Sequence, residues 1–316
     1  MNLGDNMKMR LAKRFDQKIS EVGFGAWQLG GTDLWGNMTR EEGVKLVLRA
    51  VEEGVTFFDT APGYGGGNSE LILGEALEGI RDKVFINTKV GHGPNGEHEF
   101  SKEGIENSIT RSLLKLKTTY LDSVILHNPE RYILEGESDL FEALKHFKDN
   151  GIIKGYGVSV DSIEELELVL NNLEVDTIEV MFNVIHQETK EAFDRIHEKG
   201  ILLIIKVPLD SGWLTGKYNK NSEFSGIRSR WNQEVINTRS EIVEKIKEIV
   251  KADSLVLPAL RFILGFKAVT VIIPGTKNEL QLLNNIEASD NEMDMETVQK
   301  LEELYETYIK NQYTPW

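Results

Sequence analysis

The stretch Phe57-Phe58-Asp59-Thr60-Ala61-Pro62-Gly63-Tyr64-Gly65 delivers a carboxylate at the end of a short apolar, strand-like run and a phenol five residues later. A second such run, Val84-Phe85-Ile86-Asn87-Thr88, ends in Lys89, and a third, Leu121-Asp122-Ser123-Val124-Ile125-Leu126, ends in His127. Asp, Tyr, Lys and His thus fall at or just past the C-terminal ends of three successive strands, where a parallel barrel gathers its catalytic groups. Taken singly, each has a plainer reading: Asp59 as a turn former, Tyr64 as a rim aromatic, Lys89 as a solvated charge, His127 as a capping residue. Four complementary groups at equivalent places on consecutive strands favour one shared site.

Outward from this stretch, short apolar runs alternate with longer amphipathic segments almost to the end of the chain. Strands are expected near 22–26, 56–59, 84–89, 122–127, 155–160, 177–181, 201–207 and 269–273. Helices are expected near 39–53, 69–78, 102–116, 138–150, 162–171, 189–199, 239–252 and 277–288. Thr39 and Ser138 read as helix starts, and Gly54, Gly151 and Gly200 as left-handed stops. Eight strands each followed by a helix imply an α/β fold, a (β/α)8 TIM barrel in a single domain spanning 1–316. Two segments interrupt the alternation: a long polar loop about 209–238 after the seventh strand, on the catalytic face, and an extra helix near 254–266.

The chain has 316 residues, 40% of them hydrophobic, enough for a sizeable core. It contains no cysteine, which removes disulfides, thiolate metal sites and thiol nucleophiles. A formal net charge of -15 argues against nucleic acid or an anionic membrane as principal partner. No apolar run approaches the roughly 18–20 residues that cross a bilayer. With no leader-like N-terminus either, the expected setting is cytoplasmic.

The four residues suit protonation of a carbonyl oxygen while hydride arrives at its carbon, with no metal and no covalent intermediate. A free tyrosine, with a pKa of about 10, is a poor acid at neutral pH, and an adjacent ammonium is expected to lower that value. Lys89 would supply the ammonium, Asp59 would hold it charged, and His127 would hydrogen-bond and orient the substrate oxygen.

Over about residues 22–285 the chain resembles the aldo-keto reductase family. The likeness rests on Phe58-Asp59-Thr60-Ala61 with Tyr64-Gly65, the following Ser69-Glu70 to Leu73-Gly74-Glu75-Ala76-Leu77, Thr88-Lys89, and Leu126-His127-Asn128-Pro129. It implies Tyr64 as general acid, tuned by Lys89 and Asp59, with His127 orienting the carbonyl. Gly155-Tyr156-Gly157-Val158-Ser159 is similar to the strand whose serine meets the nicotinamide amide, and 208–218 to the loop that folds over the pyrophosphate. Ile273-Pro274-Gly275-Thr276-Lys277, with Gln281 and Asn285, resembles the adenosine-phosphate segment.

The resemblance therefore implies cofactor contacts from Gly25, Ala26, Trp27, Ser159, Glu179, Lys206, Pro208, Leu209, Ser211, Gly212, Lys217, Pro274, Gly275, Thr276, Lys277, Gln281 and Asn285. Lys277 at a helix opening favours NADPH, with NADH the alternative. Trp27, Trp35 and Trp213 are expected to wall the pocket for a small carbonyl substrate. The tail about 305–316 either closes over the mouth or docks without touching substrate.

Three positions depart from the family pattern: Val160, Glu179 where a glutamine is usual, and Lys206 where an aromatic or small residue is common. Glu179 and Lys206 end neighbouring strands and are expected either to pair under the nicotinamide or to turn outward. The alternative function is a cofactor-binding regulatory or accessory subunit with little turnover. Nothing in the sequence names the carbonyl compound or the oligomeric state.

Overall fold

A computed structural model describes residues 7–31, 36–93 and 95–316; the expected pocket residue Trp35 lies outside them. Eight parallel strands run in chain order: β1 Phe24–Gly25, β2 Phe57–Asp59, β3 Phe85–Val90, β4 Leu121–His127, β5 Ile153–Val160, β6 Thr177–Met181, β7 Leu202–Lys206 and β8 Val271–Ile272. Parallel bridges Val22 to Ile272 and Gly25 to Gly275 join the first strand to the last, closing the expected (β/α)8 barrel. Along these strands Ile, Val, Leu and Phe are buried, as sheets covered on both faces require.

Local chemistry sets the helix boundaries. Thr39 and Ser162 each form a capping box, with Glu42 and Glu165, at the starts of helices Arg40–Glu52 and Ile163–Asn172. Gly54, Gly151 and Gly200 take φ of 88°, 72° and 66° after their helices, as expected of left-handed stops. Helix Leu140–Asp149 begins after Asp139, and Ser138 Oγ accepts from the Leu140 N–H at 3.3 Å. The extra helix is present as Val256–Leu264.

Ahead of the first expected strand the chain forms an antiparallel hairpin, Met9–Ala12 with Gln17–Ser20. Its Ala12 and Ile19 pack on Phe57, Phe85, Leu202, Ile204, Val271 and Ile273, so this end of the barrel is plugged with apolar side chains. Substrate must therefore enter at the strands' C-terminal ends. The long loop is shorter than its polar composition suggested, because helix Gln233–Val250 begins well before residue 239. Asn232 caps it by accepting from the Val235 N–H at 2.9 Å. Among the described residues no helix is long and apolar enough to cross a membrane.

Candidate active site

Asp59 is the last residue of β2, and the chain then turns so that Tyr64 opens a short 3-10 segment, Tyr64–Gly67. Gly65 has φ 60°, and a Cβ there would lie 2.1 Å from the Leu29 carbonyl oxygen. The turn that aims Tyr64 is thus pressed against the connection that leaves β1, and only glycine fits. Asp59 and Asn87 are register partners, and Asn87 donates to Asp59 Oδ1 at 2.8 Å.

Lys89 is fully buried. Its ammonium donates to both Asp59 oxygens at 2.5 and 2.7 Å and to the Thr60 carbonyl at 3.3 Å. Its Nζ lies 5.3 Å from the centre of the Tyr64 ring. The Tyr64 and His127 rings meet edge to face with centroids 6.2 Å apart, and Trp27 lies 6.2 Å from Tyr64 on the other side. The structure thus brings Asp59, Tyr64, Lys89 and His127 together.

A further charged group, Glu179, joins Lys89 and Asp59. Glu179 Oε2 lies 3.0 Å from Lys89 Nζ, an ionic contact without hydrogen-bond alignment, while Glu179 Oε1 accepts from Ser159 Oγ at 3.0 Å. Two carboxylates therefore share one ammonium. Burial works to lower the Lys89 pKa, but Asp59 and Glu179 outweigh it and raise it. Burial likewise opposes ionisation of Glu179, yet Lys89 and Lys206 hold its carboxyl below the usual range. Asp59 is left as the reluctant partner, pushed up to about 7 by burial and by Glu179 against the pull of Lys89.

The Tyr64 phenol behaves differently from the sequence expectation. Burial raises its pKa and Lys89 only opposes the rise, because the ammonium is already engaged by two carboxylates. Tyr64 is held protonated. His127 is pushed down to about 3 by burial and by Lys89, so its imidazole is neutral across the physiological range. His92, which the sequence reading did not single out, lies 5.6 Å from His127 and lines the same mouth; its place is set by a bridge to His98 that only the folded loop reveals.

Glu179 and Lys206 do not pair directly. Register places Glu179 opposite Ile204 and Lys206 opposite Met181, so Lys206 sits one side-chain layer nearer the mouth. There it binds Asp161 at 2.7 Å and donates to Asn128 and, at 2.8 Å, to Ser159 Oγ. The Ser159 hydroxyl stands between the two.

The remaining expected cofactor positions lie at the same ends of β1 and β5 to β8. Gly25 donates its N–H to the Pro274 carbonyl at 3.3 Å, leading into Ala26 and Trp27. Asn285 donates to Thr276 Oγ1 and Gln281 accepts from the Lys277 N–H, which fixes 274–277 on helix Glu279–Ile286. After Pro208 and Leu209, Asp210, Ser211 and Gly212 take φ of 46°, 54° and 100°. Arg228 donates to the Ser211 carbonyl and Arg230 to its hydroxyl. The Asp210 and Gly212 N–H groups are taken up by the Val207 and Leu209 carbonyls, so the positive charge at this turn comes from the two guanidinium groups, a setting that suits an anion such as a pyrophosphate. Lys217 Nζ rests 4.8 Å from the centre of the Tyr218 ring.

Trp213 requires correction. It is fully buried among Tyr218, Phe224 and Trp231, and so braces the loop rather than walling the pocket. Beneath it Asp210, held ionised by Arg239 despite burial, forms an ion pair with that guanidinium. Arg239 also donates to the carbonyls of Thr314 and Pro315, and Trp316 Nε1 donates to Ser211 Oγ at 3.0 Å. The tail's last residues are docked on the loop, while Tyr305 is buried in helix Met295–Thr307, its ring centre 5.9 Å from Lys190 Nζ.

The Aldo/keto reductase family profile matches residues 21–306. The chain belongs to that family. NAD(P)H-dependent carbonyl reduction is the family's activity. This member is 27% identical over 302 residues to the aldo-keto reductase YhdN of Bacillus subtilis, covering 89% of this chain and 90% of the relative. It is 28% identical over 309 residues to the L-galactose dehydrogenase of Arabidopsis thaliana, with 93% and 92% covered. Its fold matches the holo form of aldo-keto reductase AKR11C1 from Bacillus halodurans with a TM-score of 0.80 at 24% identity, covering 98% of this chain and all of that one.

Proposed function

We propose that this aldo/keto reductase converts an aldehyde or ketone to the alcohol with NADPH, Tyr64 giving its proton to the carbonyl oxygen. The observation that carries the reading is the fully buried Lys89, clamped by Asp59 and set beside the Tyr64 ring at the open end of a barrel plugged at the other. A bound nicotinamide supplies the hydride for reduction.

The chain's own residues do the rest. Tyr64, kept neutral by burial, is the donor; Lys89 stabilises the phenolate left behind; Asp59 keeps Lys89 in place. Neutral His127 donates a hydrogen bond to the carbonyl oxygen and orients it toward Tyr64. Trp27, beside Tyr64, offers an apolar wall, and Arg228 and Arg230 at Ser211 would hold the pyrophosphate. Oxidation of NADPH by the protein with a panel of aldehydes, ketones and sugars tests the reading. Cofactor binding with background turnover across the panel would mark an accessory binding subunit instead.

The preference for NADPH rests on Lys277 at the approach to helix Glu279–Ile286, beside a cavity of about 320 Å³ that Lys45 and Arg49 also line. Lys277→Ala is expected to weaken NADPH binding about 10-fold to 150-fold, the equivalent of about 1.5–3 kcal/mol for a charge-assisted contact. NADH binding should change little, since it has no 2′-phosphate to pair. Titration of both cofactors into both proteins decides this, and equal losses would move the phosphate contact to another cation.

A further inference from the structure

We propose that Glu179 is a second counter-ion of Lys89 that gives the floor of the site a net negative charge and so tilts the bound nucleotide toward NADP⁺. The inference rests on the functional reading above, since it needs a nicotinamide in the barrel mouth. It replaces the simpler expectation of a direct Glu179–Lys206 pair, since the Ser159 hydroxyl stands between the two.

The charges near the floor can be counted. Lys89 faces Asp59 and Glu179, and Lys206 faces Asp161, so two ammonium groups meet three carboxylates. His127 contributes no charge near neutrality. With every carboxylate ionised the cluster carries one net negative charge in a largely buried setting. A glutamine at 179 would leave it balanced.

That surplus acts on two things. Loss of hydride makes the nicotinamide ring positive, so a nearby negative charge binds the oxidised form more tightly and eases hydride departure from the reduced one. The same charge raises the pKa of Tyr64 and so disfavours its phenolate. The first effect favours the oxidised nucleotide, and the second opposes proton donation, so the two need separate measurements. Glu179 itself exchanges neither proton nor electrons; it works through Lys89 and is a positioning residue.

The surplus depends on pH. Asp59 takes up a proton near 7, so below that pH the cluster is neutral and above it negative. Preference for NADP⁺ should therefore strengthen as pH rises from 6 to 8.5. In Glu179→Gln the lone carboxylate Asp59 stays ionised beside Lys89 throughout, and the preference should be flat.

The test is the ratio of dissociation constants for NADP⁺ and NADPH, from quenching of tryptophan fluorescence between pH 6 and 8.5, in wild type and in the isosteric Glu179→Gln. At pH 8 the variant is expected to lose about tenfold of the wild-type preference for NADP⁺, as expected for removing one nearby unit charge at an effective permittivity of about 20. Ultraviolet difference titration, with Tyr64→Phe in the same background subtracted, should show Tyr64 ionising at lower pH in the variant. An unmoved ratio and an unmoved tyrosine in Glu179→Gln would overturn the proposal. So would a wild-type ratio that ignores pH, which needs no variant to fold. Wild-type protein that binds neither nucleotide would instead sink the functional reading itself, and this proposal with it.

Discussion

Tyr64→Phe is expected to lower kcat for carbonyl reduction by about 10² to 10⁴, the range for loss of a general acid, while NADPH affinity stays within about twofold. The reasoning is local. The ring keeps its contacts with Trp27 and His127, and Arg228, Arg230 and the 274–277 segment, which would hold the cofactor, are untouched. Only the proton donor goes. His127 cannot substitute, because an imidazole with a pKa of about 3 carries no extra proton to give at neutral pH. Single-turnover kinetics with preloaded NADPH separate the chemical step from binding. Retention of more than about a tenth of wild-type kcat would remove Tyr64 from the role of acid.

Lys89→Met should damage both catalysis and stability, and the stability loss has a pH signature. Without the ammonium, Asp59 and Glu179 are two buried carboxylates facing each other. Breaking a buried pair in this way costs about 3–5 kcal/mol. Both folded pKa values then lie above their unfolded values of about 4, so between those limits the folded state binds more protons than the unfolded one. Stability contributed by these groups is present at low pH and is lost as pH rises. The gap in Tm between variant and wild type should be small near pH 5 and wide near pH 8. A gap independent of pH would mean that Lys89 does not neutralise the two carboxylates.

Much of this was legible in the sequence because the carrying residues sit at fixed offsets from short apolar runs. The Asp59 and Tyr64 spacing, Lys89 closing one strand and His127 closing the next needed only the period of strand and helix to be placed in one mouth. The N-terminal hairpin was less visible: its strands are four residues each and mix charged with apolar side chains. Trp213 was misplaced for a related reason, since a tryptophan in a glycine-containing loop gives no sign of which way it faces until Phe224 and Trp231 close over it.

The bond between Glu179 and Lys89 could not be read from spacing at all. It spans the barrel from β3 to β6, and sequence proximity pointed instead to Lys206 on the next strand. The available signal was chemical: a carboxylate where an amide is usual calls for a cation, and Lys89 is a second one in reach. The tether between Arg239, Asp210 and the carbonyls of Thr314 and Pro315 was hidden in the same way, because backbone acceptors leave no trace in residue identity.

The most direct measurement of the central claim is isotope transfer from cofactor to product. Wild-type protein is supplied with NADPH carrying deuterium at both C4 positions of the nicotinamide and with the best carbonyl substrate from the panel, and the alcohol is analysed by NMR. Direct transfer in a water-excluding site predicts one deuterium on the carbinol carbon, in a single configuration, with the hydroxyl proton exchanging with solvent. Alcohol formed without deuterium at that carbon would contradict the account.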